Sequence, residues 1–334
     1  MTKEHPFAQY VRIIGRGPNL SRPLTEEEMY EAACMILNDE VEDLQLGAFL
    51  CILRVRTEVP EEGLGFVRAV RDNLNIKKDT IHADLDWPTY SGKKRQLPWF
   101  LLSALTLSQN GVKICMQGTE GHTPERLYTS EALTFLGIPL AKSFDDAINN
   151  IQKNNFAYLP LRVLSPKLQE IIELKSIIGV RSPINTFARM INPFSAPYEI
   201  HTVFHPNYRD IHLETSLLLG QKNMAVFKGE GGEAERRPQK PVLVQSLQNG
   251  KKIEEEWGPI IGETTFPKDE KMDLDRLKSV WLGESEEIYA SHTIIGTIAI
   301  ALRLLQRAES IDDALSDAEK MWKNREKKLP TGED

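Results

Sequence analysis

The stretch GVKICMQG, residues 111–118, decides how the rest of the chain is read. A short apolar run that stops at glycine suits a strand buried on both faces, since such a strand needs no polar alternation. It follows the apolar helix candidate PWFLLSALTLSQN (98–110) and leads through a polar loop to another, SEALTFLGI (130–138). A strand, a loop and a helix in that order are a unit of a parallel sheet. NNFAYLPLRVL (154–164), YEIHTVFH (198–205) and NMAVFKG (223–229) supply further strands, each bordered by helical segments. The expected fold is α/β, a mostly parallel sheet flanked by helices, with ligand sites at the carboxyl ends of its strands.

Upstream the pattern is helical. TEEEMYEAACMILNDE (25–40) opens on Thr25 with Glu28 three residues later, the signature of a capping box. VEDLQLGAFLCILRVR (41–56) and GLGFVRAVRDNL (63–74) continue it, and SPKLQEIIELKSIIG (165–179) is again helical and amphipathic. Residues 1–76 read as a helical lobe and 77–334 as the α/β domain. GEGGEAERRPQKP (229–241) and the QNGKKIEEEW that follows read as a long polar insertion. Helices return in SHTIIGTIAIALRLLQRA (291–308) and SIDDALSDAEKMWKNREKK (310–328).

Composition narrows the function classes. The 334 residues, 41% of them hydrophobic, are enough for one large or two ordinary domains with a real core. The formal net charge of −7 excludes a globally basic nucleic-acid binder, so any polyanion site must be a local patch. No stretch of about 18 residues is free of charge, and the first residues lack a signal pattern. A soluble, cytoplasmic protein with no membrane role is expected. Cys34, Cys51 and Cys115 sit in apolar segments without paired spacing and read as reduced thiols.

Several segments together resemble the anthranilate phosphoribosyltransferase family and its nucleoside-phosphorylase relatives. The opening from Leu24 through Gly63 is similar to the family's N-terminal helical lobe. GVKICMQGTEGHTPERLYTSEALTFLGIP is similar to the segment that carries KHGN, and IIGVRSPINTFARMINPFSAP to an LGxRTxFNxLGPLxNP segment. The resemblance implies a discontinuous helical lobe joined in space by about 165–190, and a homodimer formed through it. It also implies residual substrate-cleft positions at Gly118, Thr119 and Arg181, the last matching an arginine that faces the acceptor. Arg181 reads equally well as a packing residue.

The departures are as informative. The family's GTGGD loop, which wraps the diphosphate of phosphoribosyl pyrophosphate, is replaced by ADLDWPTYSGKKRQLPWF, and KHGN has become Met116-Gln117-Gly118-Thr119. The magnesium-holding acidic pair aligns with Ala234 and Glu235, leaving one carboxylate of two. Phosphoribosyl transfer needs donors and metal charge on its leaving group, and this chain has lost most of them. The pattern is similar to a divergent YbiB-type branch, whose members are understood to bind nucleic acid. The resemblance therefore implies binding of single-stranded DNA or RNA, with no catalytic residue, no cofactor and no metal. The alternative is a phosphoribosyltransferase with altered substrate, using magnesium with phosphoribosyl pyrophosphate.

For nucleic acid the candidate contacts are Tyr90, Ser91, Gly92, Lys93, Lys94 and Arg95, with Arg236 and Arg237 from a second loop. Three adjacent cations where a diphosphate loop once stood suit a phosphate backbone; the bland reading is a solvated turn. Trp87 and Tyr90 are the candidate base-stacking side chains. His201 and His205, four apart on a strand and so about 13 Å apart, cannot share a metal ion, and His212 reads as a lone structural histidine.

Overall fold

The computed structural model describes residues 3–74, 76, 82–262, 269 and 271–329. One sheet is built from β1 (Leu85–Thr89), β2 (Ile114–Gly118), β3 (Phe156–Pro160), β4 (Tyr198–Val203), β5 (Asn223–Lys228), β6 (Val242–Gln248) and β7 (Lys251–Trp257). Their order is β3-β2-β1-β4-β5-β6-β7. β3, β2, β1, β4 and β5 run parallel, and β6 and β7 are added antiparallel at one edge.

The four strands expected from apolar runs are present as β2 to β5. β1 lies inside the segment read as a replaced loop, where Pro88 argues against a central strand. The ladder between β1 and β4 is confined to Leu85 and Asp86, so Pro88 falls beyond it. The presumed polar insertion needs a larger correction, because residues 242–257 form a hairpin. Asn249 (φ 52°) and Gly250 (φ 79°) supply the two left-handed residues that a tight hairpin turn requires.

The helix Trp99–Gln109 is buried from Trp99 to Ser108 because it is packed on the sheet and against the helix Ile288–Leu304. A helix enclosed on all sides has no polar face, so its sequence is apolar without helical periodicity. In the helical opening, Thr25 and Glu28 form the expected capping box at the start of Glu26–Leu37. That helix packs on Pro60–Asn73, and a Cβ at Gly65 would lie 2.2 Å from the Glu26 carbonyl oxygen, so only glycine permits the approach. The helix Ala8–Gly15 also belongs to this assembly. One apolar cluster joins these helices to Leu168, Ile171, Ile184 and Phe187, with the Phe66 and Phe187 rings 5.1 Å apart. Among the described residues no helix is long and apolar enough to cross a membrane.

Candidate anion-binding cleft

At the carboxyl edge of the sheet a cleft of about 290 Å³ opens between β1, β4 and residues 181–189, which become helical from Ile184. Four arginines from three segments distant in sequence line it: Arg54, Arg126, and Arg181 with Arg189. Arg54 comes from the helix Asp43–Arg56 and its Nη1 donates to Tyr208 Oη at 3.1 Å. Arg126 donates to the carbonyl oxygens of Ser91 and Gly92, both at 2.9 Å. Arg189, 7% exposed, donates through Nη2 to Ser91 Oγ at 2.7 Å, while its Nη1 has no partner. Ser182 Oγ and Asn185 Oδ1, also in the lining, are unpartnered as well.

The local field is positive although the chain is acidic. Burial, then Arg181, Lys175, Arg126 and Arg189, pushes the nearby His122 imidazole down to about 3. Burial and then Arg126 and Arg189 lower the Arg181 pKa, the signature of like charges held together. Phe204, 54% exposed, and Tyr208 add aromatic surface to the lining.

The turn after β1 departs from its sequence reading. Lys93, 1% exposed, is ion-paired with Glu235, which is fully buried. The expectation of three cations presented together therefore fails at Lys93, since a lone carboxylate in this core draws in the nearest ammonium. Lys94 and Arg95 are exposed, with Lys94 paired to Glu125 at 2.8 Å. Trp87 and Tyr90 are buried and offer no open face for stacking, although Tyr90 lies in the wall of the cleft beside Arg189, with its Oη donating to Gln117. Ser91 reaches the cleft, whereas Gly92 (φ 66°) turns the backbone.

The loop after β5 folds inward. Glu233 Oε1 accepts from both the Ser91 and Gly92 amides at 2.7 Å. Glu235 Oε2 accepts from the Phe100 amide at 3.0 Å, in the first turn of Trp99–Gln109. Burial raises both carboxyl pKa values, opposed chiefly by Arg189 at Glu233 and by Lys93 at Glu235. Gly232 (φ 88°) is required, because a Cβ there would come within 2.6 Å of Ser91 Oγ.

The candidate arginines of this loop do not reach outward together. Arg236 is 1% exposed, donates to the Gly258 carbonyl and lies 5.1 Å from the Trp257 ring centroid. It serves the core, and an exposed phosphate contact there is corrected. Arg237 is half-buried and paired with Glu230.

Of the residual substrate positions, Arg181 lines the cleft while Gly118 and Thr119 do not. Gly118 ends β2 against Thr89, whose carbonyl oxygen would be 2.0 Å from an added Cβ. Thr119 Oγ1 donates to Gln169 at 3.0 Å. His201 and His212 meet in the core with their Nδ1 atoms 3.3 Å apart, so His212 is not lone. Among the described residues no three His, Cys, Asp or Glu side chains gather as a metal-binding group.

Arg54, Arg126, Arg189, Phe204 and Tyr208 escaped the sequence reading. Arg126 and Arg189 lie inside the two segments quoted for the resemblance, but none of the five belongs to a run of three charges, and only the fold brings them to one place.

The helical bundle domain of the glycosyl transferase family matches residues 8–74. An uncharacterised protein of Aquifex aeolicus (strain VF5) is 32% identical over 256 residues, 75% of this chain and 75% of that one. The uncharacterised protein YbiB of Escherichia coli (strain K12) is 27% identical over 207 residues, 60% of this chain and 64% of its own length. The anthranilate phosphoribosyltransferase of Thermus thermophilus superposes with a TM-score of 0.79 at 19% identity, over 98% of this chain and 95% of that chain.

Proposed function

Given that the chain belongs to the anthranilate phosphoribosyltransferase-like glycosyl transferase family, we propose that it uses the family's scaffold to bind single-stranded DNA or RNA in the arginine-lined cleft, with little base preference. The observation that carries this reading is the convergence of Arg54, Arg126, Arg181 and Arg189 on one opening of an otherwise acidic chain. Arginine addresses phosphate oxygens in any base sequence, and the aromatic faces of Phe204 and Tyr208 suit stacking. The contact set thus moves from the Lys93 turn to the cleft, with Lys94 and Arg95 as outlying charges. A cytoplasmic setting fits this reading.

The rival reading is a phosphoribosyltransferase with altered substrate. Arg181 in a cleft of about 290 Å³ favours it, since that volume suits a small phosphorylated ligand. Calorimetry with phosphoribosyl pyrophosphate, with and without magnesium, and anisotropy with a labelled oligonucleotide separate the two. Oligonucleotide binding with weak or undetectable phosphoribosyl pyrophosphate binding is expected. Tight, magnesium-dependent phosphoribosyl pyrophosphate binding with turnover would replace this proposal with the rival.

A homodimer accompanies the reading, and the helix Asp43–Arg56 offers a face for it. Leu44 (90% exposed), Ala48, Cys51 and Val55 (87% exposed) recur four, three and four residues apart, one apolar stripe turned to solvent. Two copies paired there would also add their charges on one polyanion. Light scattering should find a dimer at micromolar concentration and a monomer for Val55→Asp, whose carboxylate would be buried unpaired. A wild-type monomer would remove the dimer from the proposal.

A further inference from the structure

The backbone of the Ser91-Gly92 turn holds the carboxyl of Glu233. Two successive amides aim at one oxygen, Glu233 Oε1, each at 2.7 Å. Converging amides of this kind form a concave nest that holds phosphate or carboxylate oxygens. The Arg189 guanidinium is beside it, bonded to Ser91 Oγ at 2.7 Å through Nη2. Its Nη1 is unpartnered although the residue is 7% exposed, and Glu233 Oε2 is buried and unpartnered too. One donor and one acceptor are thus both left unused around this carboxyl.

Glu235 repeats the arrangement one step away. Its carboxyl takes the Phe100 amide at the N-terminus of Trp99–Gln109 and the Lys93 ammonium. A helix N-terminus and an ammonium are both suited to an oxyanion. Two acidic side chains of one loop thus occupy two neighbouring anion sites, with Gly232 (φ 88°) allowing the loop to press against Ser91.

We propose that Glu233 is the resident anion of a tetrahedral-oxyanion site, and that its carboxyl excludes inorganic phosphate and diphosphate from the Ser91-Gly92 turn. A tethered carboxyl has an effective concentration that free phosphate cannot match, so the site stays closed to dissolved anions. Removing the carboxyl leaves the two amides without an acceptor beside the already unpartnered Arg189 Nη1, and a tetrahedral oxyanion supplies three or four oxygens for them. The proposal does not depend on nucleic-acid binding, although Ser91 and Arg189 are shared with the lining of the cleft.

The test follows the Ser91 and Gly92 amide resonances of the full chain during titration with inorganic diphosphate. In wild type the Gly92 amide, which does not line the cleft, should not respond even if diphosphate enters the cleft and shifts Ser91. In Glu233→Ala both amides should shift and saturate, with apparent affinity at this turn at least tenfold tighter than in wild type. The same variant should unfold at lower temperature and regain stability as diphosphate is added. Glu233→Gln keeps an acceptor oxygen and the side-chain volume, loses the charge, and should show a smaller gain. If Glu233→Ala does not fold, the comparison of Glu233→Gln with wild type decides. A Gly92 amide that responds equally in wild type, or amides that stay silent in both folded variants, would overturn the proposal.

Discussion

Lys93→Met should lower folding stability by about 3–5 kcal/mol, the usual cost of stranding one partner of a buried ion pair. The Lys93 and Glu235 side chains are 2% and 1% exposed, so no water can replace the missing ammonium. A charge run in a surface turn would give a near-neutral result, which makes this substitution the sharpest separation of the two views of Lys93. Lys93→Met combined with Glu235→Gln should recover much of the loss, because the carboxamide is neutral and still accepts from the Phe100 amide. Urea denaturation measures both. A Lys93→Met midpoint equal to wild type would mean that Lys93 is not buried against Glu235 in solution.

Arg54→Ala with Arg181→Ala should weaken binding of a labelled single-stranded oligonucleotide by roughly tenfold to a hundredfold, given about 1.5–3 kcal/mol for each charged hydrogen bond, part of it recovered by water. The plot of log affinity against log salt should become shallower by about 1.4, at about 0.7 for each phosphate contact on a single strand. Both side chains line the cleft, but Arg54 also offsets the charge of buried Glu58 and Arg181 lies in the field of buried Glu233, so the unfolding midpoint of the variant is read beside its binding. Lys94→Ala with Arg95→Ala should have the smaller effect, since Lys94 is already engaged by Glu125. Equal losses in the two double variants would return the binding surface to the exposed turn. No loss in either would remove nucleic acid from the cleft.

The architecture was largely legible before the chain was folded, and the site was not. Thr25 with Glu28 announced a helix start, and GVKICMQG announced a buried parallel strand, because capping and strand burial leave marks within a few residues. The Asn249-Gly250 turn carried a hairpin signal that the polar KKIEEEW obscured. That strand is an edge with one solvated face, where exposure alternates along a run of charged residues and little apolar content is needed. β1 was hidden by Pro88, whose usual meaning is overridden where the neighbouring ladder has already ended.

Local pattern alone established a helical opening, a mostly parallel α/β sheet and an acidic chain that needs a concentrated patch to hold a polyanion. These depend on periodicity, capping and summed charge, all of which can be read along one dimension. The tertiary structure alone decided which cations face outward. Lys93 and Lys94 are adjacent, yet one is committed to Glu235 in the core and the other to solvent, because burial is set by residues over a hundred positions away. The same long-range packing sends Arg236 to Trp257 and gathers Arg54, Arg126, Arg181 and Arg189 from three segments. A charge run states how much charge there is; the carboxylates that fold against it determine how much of that charge a ligand can reach.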